Sequence, residues 1–117
     1  MESLKSSKAF NRVYRQGTPR FGKYLVLSTL PNGRPASRVG FAVSKKVGNA
    51  VTRNKIKRRL RAIVREISPG ISGGCDVVIG AKRSSSGASF AELRADLYRL
   101  MQGSGLLTRN LGGGDNA

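Results

Sequence analysis

Residues 38–61 read Arg38-Val39-Gly40-Phe41-Ala42-Val43-Ser44-Lys45-Lys46-Val47-Gly48-Asn49-Ala50-Val51-Thr52-Arg53-Asn54-Lys55-Ile56-Lys57-Arg58-Arg59-Leu60-Arg61, and the apolar period changes once along them. Up to Ser44 it is two. Val39, Phe41 and Val43 point one way, toward a core, while Gly40, Ala42 and Ser44 point the other and leave a flat surface of small residues. Either a bulky helix or an extended nucleic-acid strand fits against that surface. From Thr52, a plausible N-cap, to Ile67 the period is that of a helix. At about 100° per residue, Ile56, Leu60, Ile63, Val64 and Ile67 fall on one narrow apolar stripe. Asn54, Lys57, Arg58, Arg61 and Arg65 lie opposite. A merely solubilising face would mix signs, yet only Glu66 interrupts the cations. Like charges at that spacing repel, so the helix calls for a polyanionic partner. Nucleic acid is the first reading.

Composition agrees. The chain has 117 residues, 22 Lys and Arg against 6 Asp and Glu, and a formal net charge of +16. The pI is near 11.5. A length of this order makes one domain. Charge of this size and sign predicts fast, salt-sensitive attraction to phosphate. Acid–base chemistry is poorly supplied, with no histidine and only Glu2, Glu66, Asp76, Glu92, Asp96 and Asp115 as carboxylates. Glu92 and Asp96, one turn apart, resemble a metal-binding pair, but acidic residues early in a helix serve its dipole. Cys75 is the only cysteine, which excludes an intrachain disulfide and a multi-cysteine zinc site. Beside an apolar run it reads as a small core residue. No apolar run approaches a membrane span or a signal peptide. A cytoplasmic protein with no membrane partner is the expectation.

Working outward, Ser6 and Ser7 are placed to cap a first short helix carrying Phe10, Val13 and Tyr14, with Gly17 to end it. Phe10 and Tyr14 sit four apart and share one face, which on spacing alone suits a core. Residues 24–30 read as a strand, and Pro31-Asn32-Gly33-Arg34-Pro35 as a strong turn. The basic helix stops at Ser68-Pro69-Gly70. Asp76 to Ala81 is a continuous apolar run, the signature of a central strand buried on both faces. Ser89 to Glu92 has capping-box spacing for a last helix with Phe90, Leu93, Leu97, Leu100 and Met101 as its core stripe. The domain is expected to span residues 1–103, with 104–117 a Gly-rich disordered tail. The order helix, strand, strand, helix, strand, helix gives an α+β fold, a small mixed sheet packed with three helices. The crossover between the second and third strands is expected to be right-handed on general grounds.

The stretch Gly40 to Arg58 resembles the signature of the bacterial ribonuclease P protein subunit. Phe10-Asn11-Arg12-Val13-Tyr14-Arg15-Gln16-Gly17 is similar to that family's first helix, and Asp76 to Met101 follows its pattern. The resemblance covers nearly the whole chain apart from the tail. It implies the ribonuclease P protein-like fold (ribosomal protein S5 domain 2-like), with a left-handed βαβ crossover that would overturn the hand expected above. It also implies a role: a protein cofactor in an endoribonuclease that removes the 5′ leader of precursor tRNA. In that family the catalytic RNA holds the Mg²⁺ ions and the protein supplies no catalytic residue and binds no metal firmly. The implied partners are ribonuclease P RNA, one per protein, and precursor tRNA.

Position by position, Arg53, Asn54, Lys57, Arg58 and Arg61 match the basic motif that faces the catalytic RNA, and Lys45 and Arg65 extend it on either side. Arg53 falls at the edge of the apolar stripe, where it can instead point along the helix N-terminus. Phe10, Tyr14, Ala42 and Lys46 match positions of the cleft that holds the single-stranded leader, where stacking on rings tolerates any base sequence. Ser28 falls where some relatives place a cleft-facing aromatic, and Lys55 where many carry arginine, which loses a bidentate grip on phosphate. Two other classes fit part of the sequence. A structural RNA-binding protein, such as a ribosomal component, explains the charge but would not distinguish leader-bearing tRNA. An independent metal-dependent nuclease would need a carboxylate site that the chain supplies poorly.

Overall fold

The computed structural model describes residues 2–107, and the elements along them are β1 (Glu2–Ser3), α1 (Ser7–Gln16), β2 (Thr18–Phe21), β3 (Leu25–Pro31), β4 (Arg38–Ala42), α2 (Ala50–Ile67), β5 (Cys75–Ala81) and α3 (Phe90–Ser104). Short 3-10 turns follow α2 and β5. The five strands form one mixed sheet in the order β1-β4-β5-β3-β2. β5 is its centre, parallel to β4 and antiparallel to β3. The fold is thus the expected α+β arrangement with three helices, but the sheet has two more strands than the periodicity indicates. β1 is two residues long, and β2 is exposed along its whole length, so neither leaves an apolar alternation to read.

Register assigns the faces. Val39, Val77, Ile79, Leu25 and Leu27 join Ile56, Leu60, Ile63, Ile67, Leu93, Leu97 and Met101 in the main core, which lies between the sheet and the α2–α3 layer. On the other face α1 lays Ala9 and Val13 against Val78 and Leu4. Gly40 is where the two meet most closely. A Cβ there would come within 2.4 Å of Cζ of Phe10, so the ring of α1 rests directly on β4 backbone.

The hand of the β4–α2–β5 crossover follows from two observations. The Leu4 N–H donates to the Val39 carbonyl at 2.8 Å, so the peptide groups of Val39 face β1 and β5 lies on its other side. The Val39 side chain points into the main core. For an L-residue seen from its side chain with the strand running upward, N–H and C=O point right. β5 is therefore to the left of β4 when viewed from α2, and the crossover is left-handed. This corrects the right-handed expectation and agrees with the resemblance. The connections at 43–49 and 68–74 are each seven residues long, enough to uncouple the helix from the strand twist behind the usual preference.

Local signals fix the helix ends. Ser6 caps α1 through the Ala9 N–H at 3.0 Å, and Ser89 with Glu92 completes a capping box on α3. The cap of α2 is Asn49, whose Oδ1 accepts from the Thr52 N–H at 2.9 Å. The helix begins two residues before Thr52 because asparagine caps at least as well as threonine. Gly103 does not end α3. The helix continues to Ser104 and closes at Gly105, whose φ of 83° is the left-handed cap conformation. Leu106 and Leu107 then return into the main core, so the packed domain extends past residue 103. The remainder of the expected tail lies outside the described residues. Phe90, expected in the core stripe, is exposed because it occupies the first turn beyond the sheet-facing residues.

Two buried carboxylates tie the loops. Asp76 accepts from Arg38 Nε at 2.8 Å and Nη2 at 2.6 Å and from Asn32 Nδ2 at 2.9 Å. The Arg38 guanidinium holds its carboxyl below the usual range against the opposing effect of burial. Asp96, fully buried on α3, accepts the backbone N–H groups of Lys23, Tyr24 and Leu25 at 3.0, 2.9 and 3.0 Å. It thereby clamps the β2–β3 turn to α3.

Candidate nucleic-acid interface

The apolar stripe of α2 is buried as its spacing predicts. Burial of five aliphatic side chains is worth about 1.5–3 kcal/mol each, whereas like-charge neighbours along a helix cost only about 0.2–0.5 kcal/mol per pair. The helix therefore folds without a polyanion and keeps its cations available. Asn54, Lys55, Arg58, Arg61 and Arg65 are exposed and Lys57 is half-buried. Lys57, Arg61 and Arg65, spaced four apart, form one wall of a groove of about 670 Å³, with Leu4, Lys5, Phe10, Val39 and Phe41 opposite.

Two arginines of the basic stretch behave differently. Arg53 Nε donates to the Gly48 carbonyl at 3.2 Å, so it turns back along the helix N-terminus. Arg59 Nη1 donates to the Ala88 carbonyl at 3.0 Å and ties α2 to the loop before α3. Lys45 and Lys46 project from a turn anchored on both sides by buried Val43 and Val47. They continue the cationic surface.

The acidic residues leave this surface unneutralised. Among the described residues the ion pairs are Arg38–Asp76, Arg94–Glu66 and Arg99–Asp96. Glu66, the only carboxylate of α2, is taken by the Arg94 guanidinium of α3 and by the Tyr98 hydroxyl at 3.1 Å. Arg94 holds its carboxyl below the ordinary glutamate range. Among the described residues none of the cations from Lys45 to Arg65 has a carboxylate partner. Glu92 is occupied by its cap and by the Tyr24 hydroxyl at 2.9 Å, and Asp96 by three amides. Among the described residues no three His, Cys, Asp or Glu side chains cluster to hold a metal ion, and no helix is long and apolar enough to cross a membrane. Cys75 is half-buried, and burial raises its thiol above the ordinary cysteine value, which suits an inert packing role.

The second half of the site lies on the opposite sheet face. Phe10 is half-buried on Gly40, while Tyr14 is 53% exposed. Both stand on the flank of α1 away from Arg12, which faces Asp76. Beside them runs a cross-strand row, Ala42 of β4, Gly80 of β5 and Val26 of β3, paired in register and each half-buried. This row is a shallow floor with Tyr14 on its α1 side, and it starts at Ala42, where β4 ends. Ser28 is on the same face one row lower, but it is 7% exposed. It offers no surface to a base, which corrects its place among the cleft residues: α1 packs over that part of β3. The basic helix and the aromatic floor are therefore separate faces, bridged at Phe10, which also lines the groove beside α2. Val26 and Gly80 carried no sequence signal of their own, because only strand register reveals that they flank Ala42.

Residues 1–104 match the protein-family model described as Ribonuclease P. A ribonuclease P protein component of Natranaerobius thermophilus is 38% identical over 109 residues, 93% of this chain and 95% of that one. One from Roseiflexus castenholzii is 38% identical over 105 residues, 89% and 86% of the two chains. Among solved structures, the RNase P protein of Staphylococcus aureus superposes with a TM-score of 0.85 at 27% identity, covering 92% of this chain and 98% of that one. The RNase P protein of Thermotoga maritima gives 0.79 at 30% identity, covering 94% and 98%.

Proposed function

Since this chain belongs to the family of ribonuclease P protein components, which serve in 5′ processing of tRNA, we propose that it binds the catalytic RNA through α2 and the 5′ leader of precursor tRNA through the α1–sheet floor. The observation that carries this reading is the run of cations from Lys45 to Arg65 with no carboxylate partner among the described residues, set beside an open aromatic surface on the other face. Arg58, Arg61, Arg65, Lys57 and Lys45 supply phosphate contacts to the RNA, with Asn54 as a neutral donor at the same surface. Arg53 shapes the helix start and presents its remaining guanidinium donors there. Phe10, Tyr14 and Ala42 provide a stacking surface, and Lys46 follows the leader backbone.

The protein contributes no acid, base or nucleophile. It has no histidine, and its described carboxylates are occupied by caps, amides and arginines or, like Glu2, exposed at the sheet edge opposite Arg38. Hydrolysis is left to the RNA and the Mg²⁺ that RNA holds. The protein raises the local concentration and order of the leader, in an assembly of one RNA and one protein in the cytoplasm.

Tyr14→Ala tests the leader surface, because the ring is exposed enough to remove without opening the core. Its loss should cost about 1–3 kcal/mol of holoenzyme affinity for leader-bearing precursor tRNA and leave affinity for mature tRNA unchanged. Equal weakening for both RNAs would place Tyr14 outside the leader path. Phe10→Ala should show the same leader dependence together with a lower Tm, and a change confined to Tm would make that ring a core residue only.

A further inference from the structure

Phe21 is the most exposed aromatic of the fold, with 72% of its surface open. Single exposed apolar residues are common and mean little by themselves. Its placement is what matters. β2 pairs antiparallel with β3 so that Phe21 is opposite Val26, Val26 is opposite Gly80, and Gly80 is beside Ala42. Residues paired in register share a face, so Phe21 is the fourth member of the row that forms the floor beside Tyr14. At the usual strand separation of about 4.8 Å, the row spans about 14 Å. It begins at Ala42, the last residue of β4, and ends at a phenyl ring.

The ring is also held in place. Asp96 fixes the three backbone amides of Lys23, Tyr24 and Leu25. The Gly22 N–H donates to the Leu25 carbonyl at 2.7 Å, and the Lys82 Nζ to the Gly22 carbonyl at 2.9 Å. Ser84 Oγ closes the turn on the Lys23 carbonyl at 2.8 Å. An exposed ring on a backbone held in this way, with the Lys82 ammonium at the next residue, is what stacking with backbone neutralisation requires. The floor otherwise has no aromatic beyond Tyr14 and Phe10, since position 28 is a buried serine.

We propose that Phe21 is a further base-stacking residue for single-stranded RNA, ending a four-strand platform of Ala42, Gly80, Val26 and Phe21 along which the leader lies. This rests on the reading that the α1 side of the sheet holds the leader, and it extends that surface to the β2 edge. It also predicts that nucleotides lie across the strands rather than along them.

The test uses holoenzyme reconstituted with a bacterial ribonuclease P RNA and precursor tRNAs carrying 2-aminopurine at successive leader positions. Phe21→Ala should weaken precursor binding by about 5- to 150-fold, the equivalent of losing one stacked base, without changing affinity for mature tRNA. Fluorescence quenching should disappear at one leader position, different from the position that responds to Tyr14→Ala. Phe21→Trp should retain both affinity and quenching. Unchanged leader affinity in Phe21→Ala alongside weakening in Tyr14→Ala would overturn the proposal while leaving the leader surface intact. Loss in neither variant would overturn the leader surface and Phe21 with it. A change in sedimentation of the free protein with leader affinity unchanged would assign Phe21 to contact with a second copy of the chain and would also overturn the proposal.

Discussion

Replacing Asp96 by alanine is expected to cost the fold about 3 kcal/mol. Three backbone amides of the β2–β3 turn donate to this one buried carboxylate, and each loses its acceptor at about 1 kcal/mol or more. Substitution by asparagine should recover part of the loss, because its single carbonyl oxygen still accepts. Burial raises the Asp96 carboxyl, but the amides of Tyr24, Lys23 and Leu25 and the Arg99 guanidinium outweigh it and hold the group below the usual aspartate range. A carboxylate depressed in the folded state stabilises above the unfolded-state value, and that stability drains away as pH falls through the folded one. Urea unfolding at pH 7 and at pH 3 measures this directly: the gap between wild type and Asp96→Ala should be large at pH 7 and narrower at pH 3. An equal gap at both would remove the ionised carboxylate from the account.

The second large effect is on RNA binding. Lys57, Arg61 and Arg65 form one cationic wall, and their joint replacement by alanine should flatten the dependence of RNA affinity on salt by about 2–3 log–log units, near 0.7–0.9 per lost phosphate contact. Affinity should fall for every ribonuclease P RNA tried, since phosphate contacts carry no sequence information. The fold should not suffer, because none of the three is in an ion pair among the described residues and their mutual repulsion is relieved. Arg59→Ala provides the contrast. That side chain is occupied by the Ala88 carbonyl, so its loss should lower Tm more than it changes the salt slope. A triple variant with the wild-type slope would show that the RNA lies elsewhere.

Much of this molecule is legible from periodicity. The alternation Val39-Gly40-Phe41-Ala42 assigns two faces to β4, and the structure uses both: Val39 and Phe41 in the main core, Gly40 beneath Phe10, Ala42 on the open floor. The stripe from Ile56 to Ile67 is buried in full. Residues without a burial pattern were not legible. β2 is exposed throughout, so Thr18 to Phe21 carried no strand signal, and Phe21 acquired meaning only through its pairing with Val26. Asp96 resembled half of a metal pair because spacing along a helix does not reveal three amides arriving from a turn more than seventy residues earlier. Ser28 aligned with a cleft position, yet depth beneath α1 is a property of packing and not of alignment. The crossover hand likewise depends on which edge of β4 receives β1, a long-range pairing of two residues.

Reconstitution tests the central claim most directly: cleavage of precursor tRNA by a bacterial ribonuclease P RNA at low Mg²⁺, with and without this protein. The account predicts strong stimulation with correct mature 5′ ends, and no cleavage by the protein alone. Tight RNA binding without stimulation would contradict it and leave a structural RNA-binding protein. Cleavage by the protein alone, lost on substitution of a carboxylate, would contradict it in the other direction.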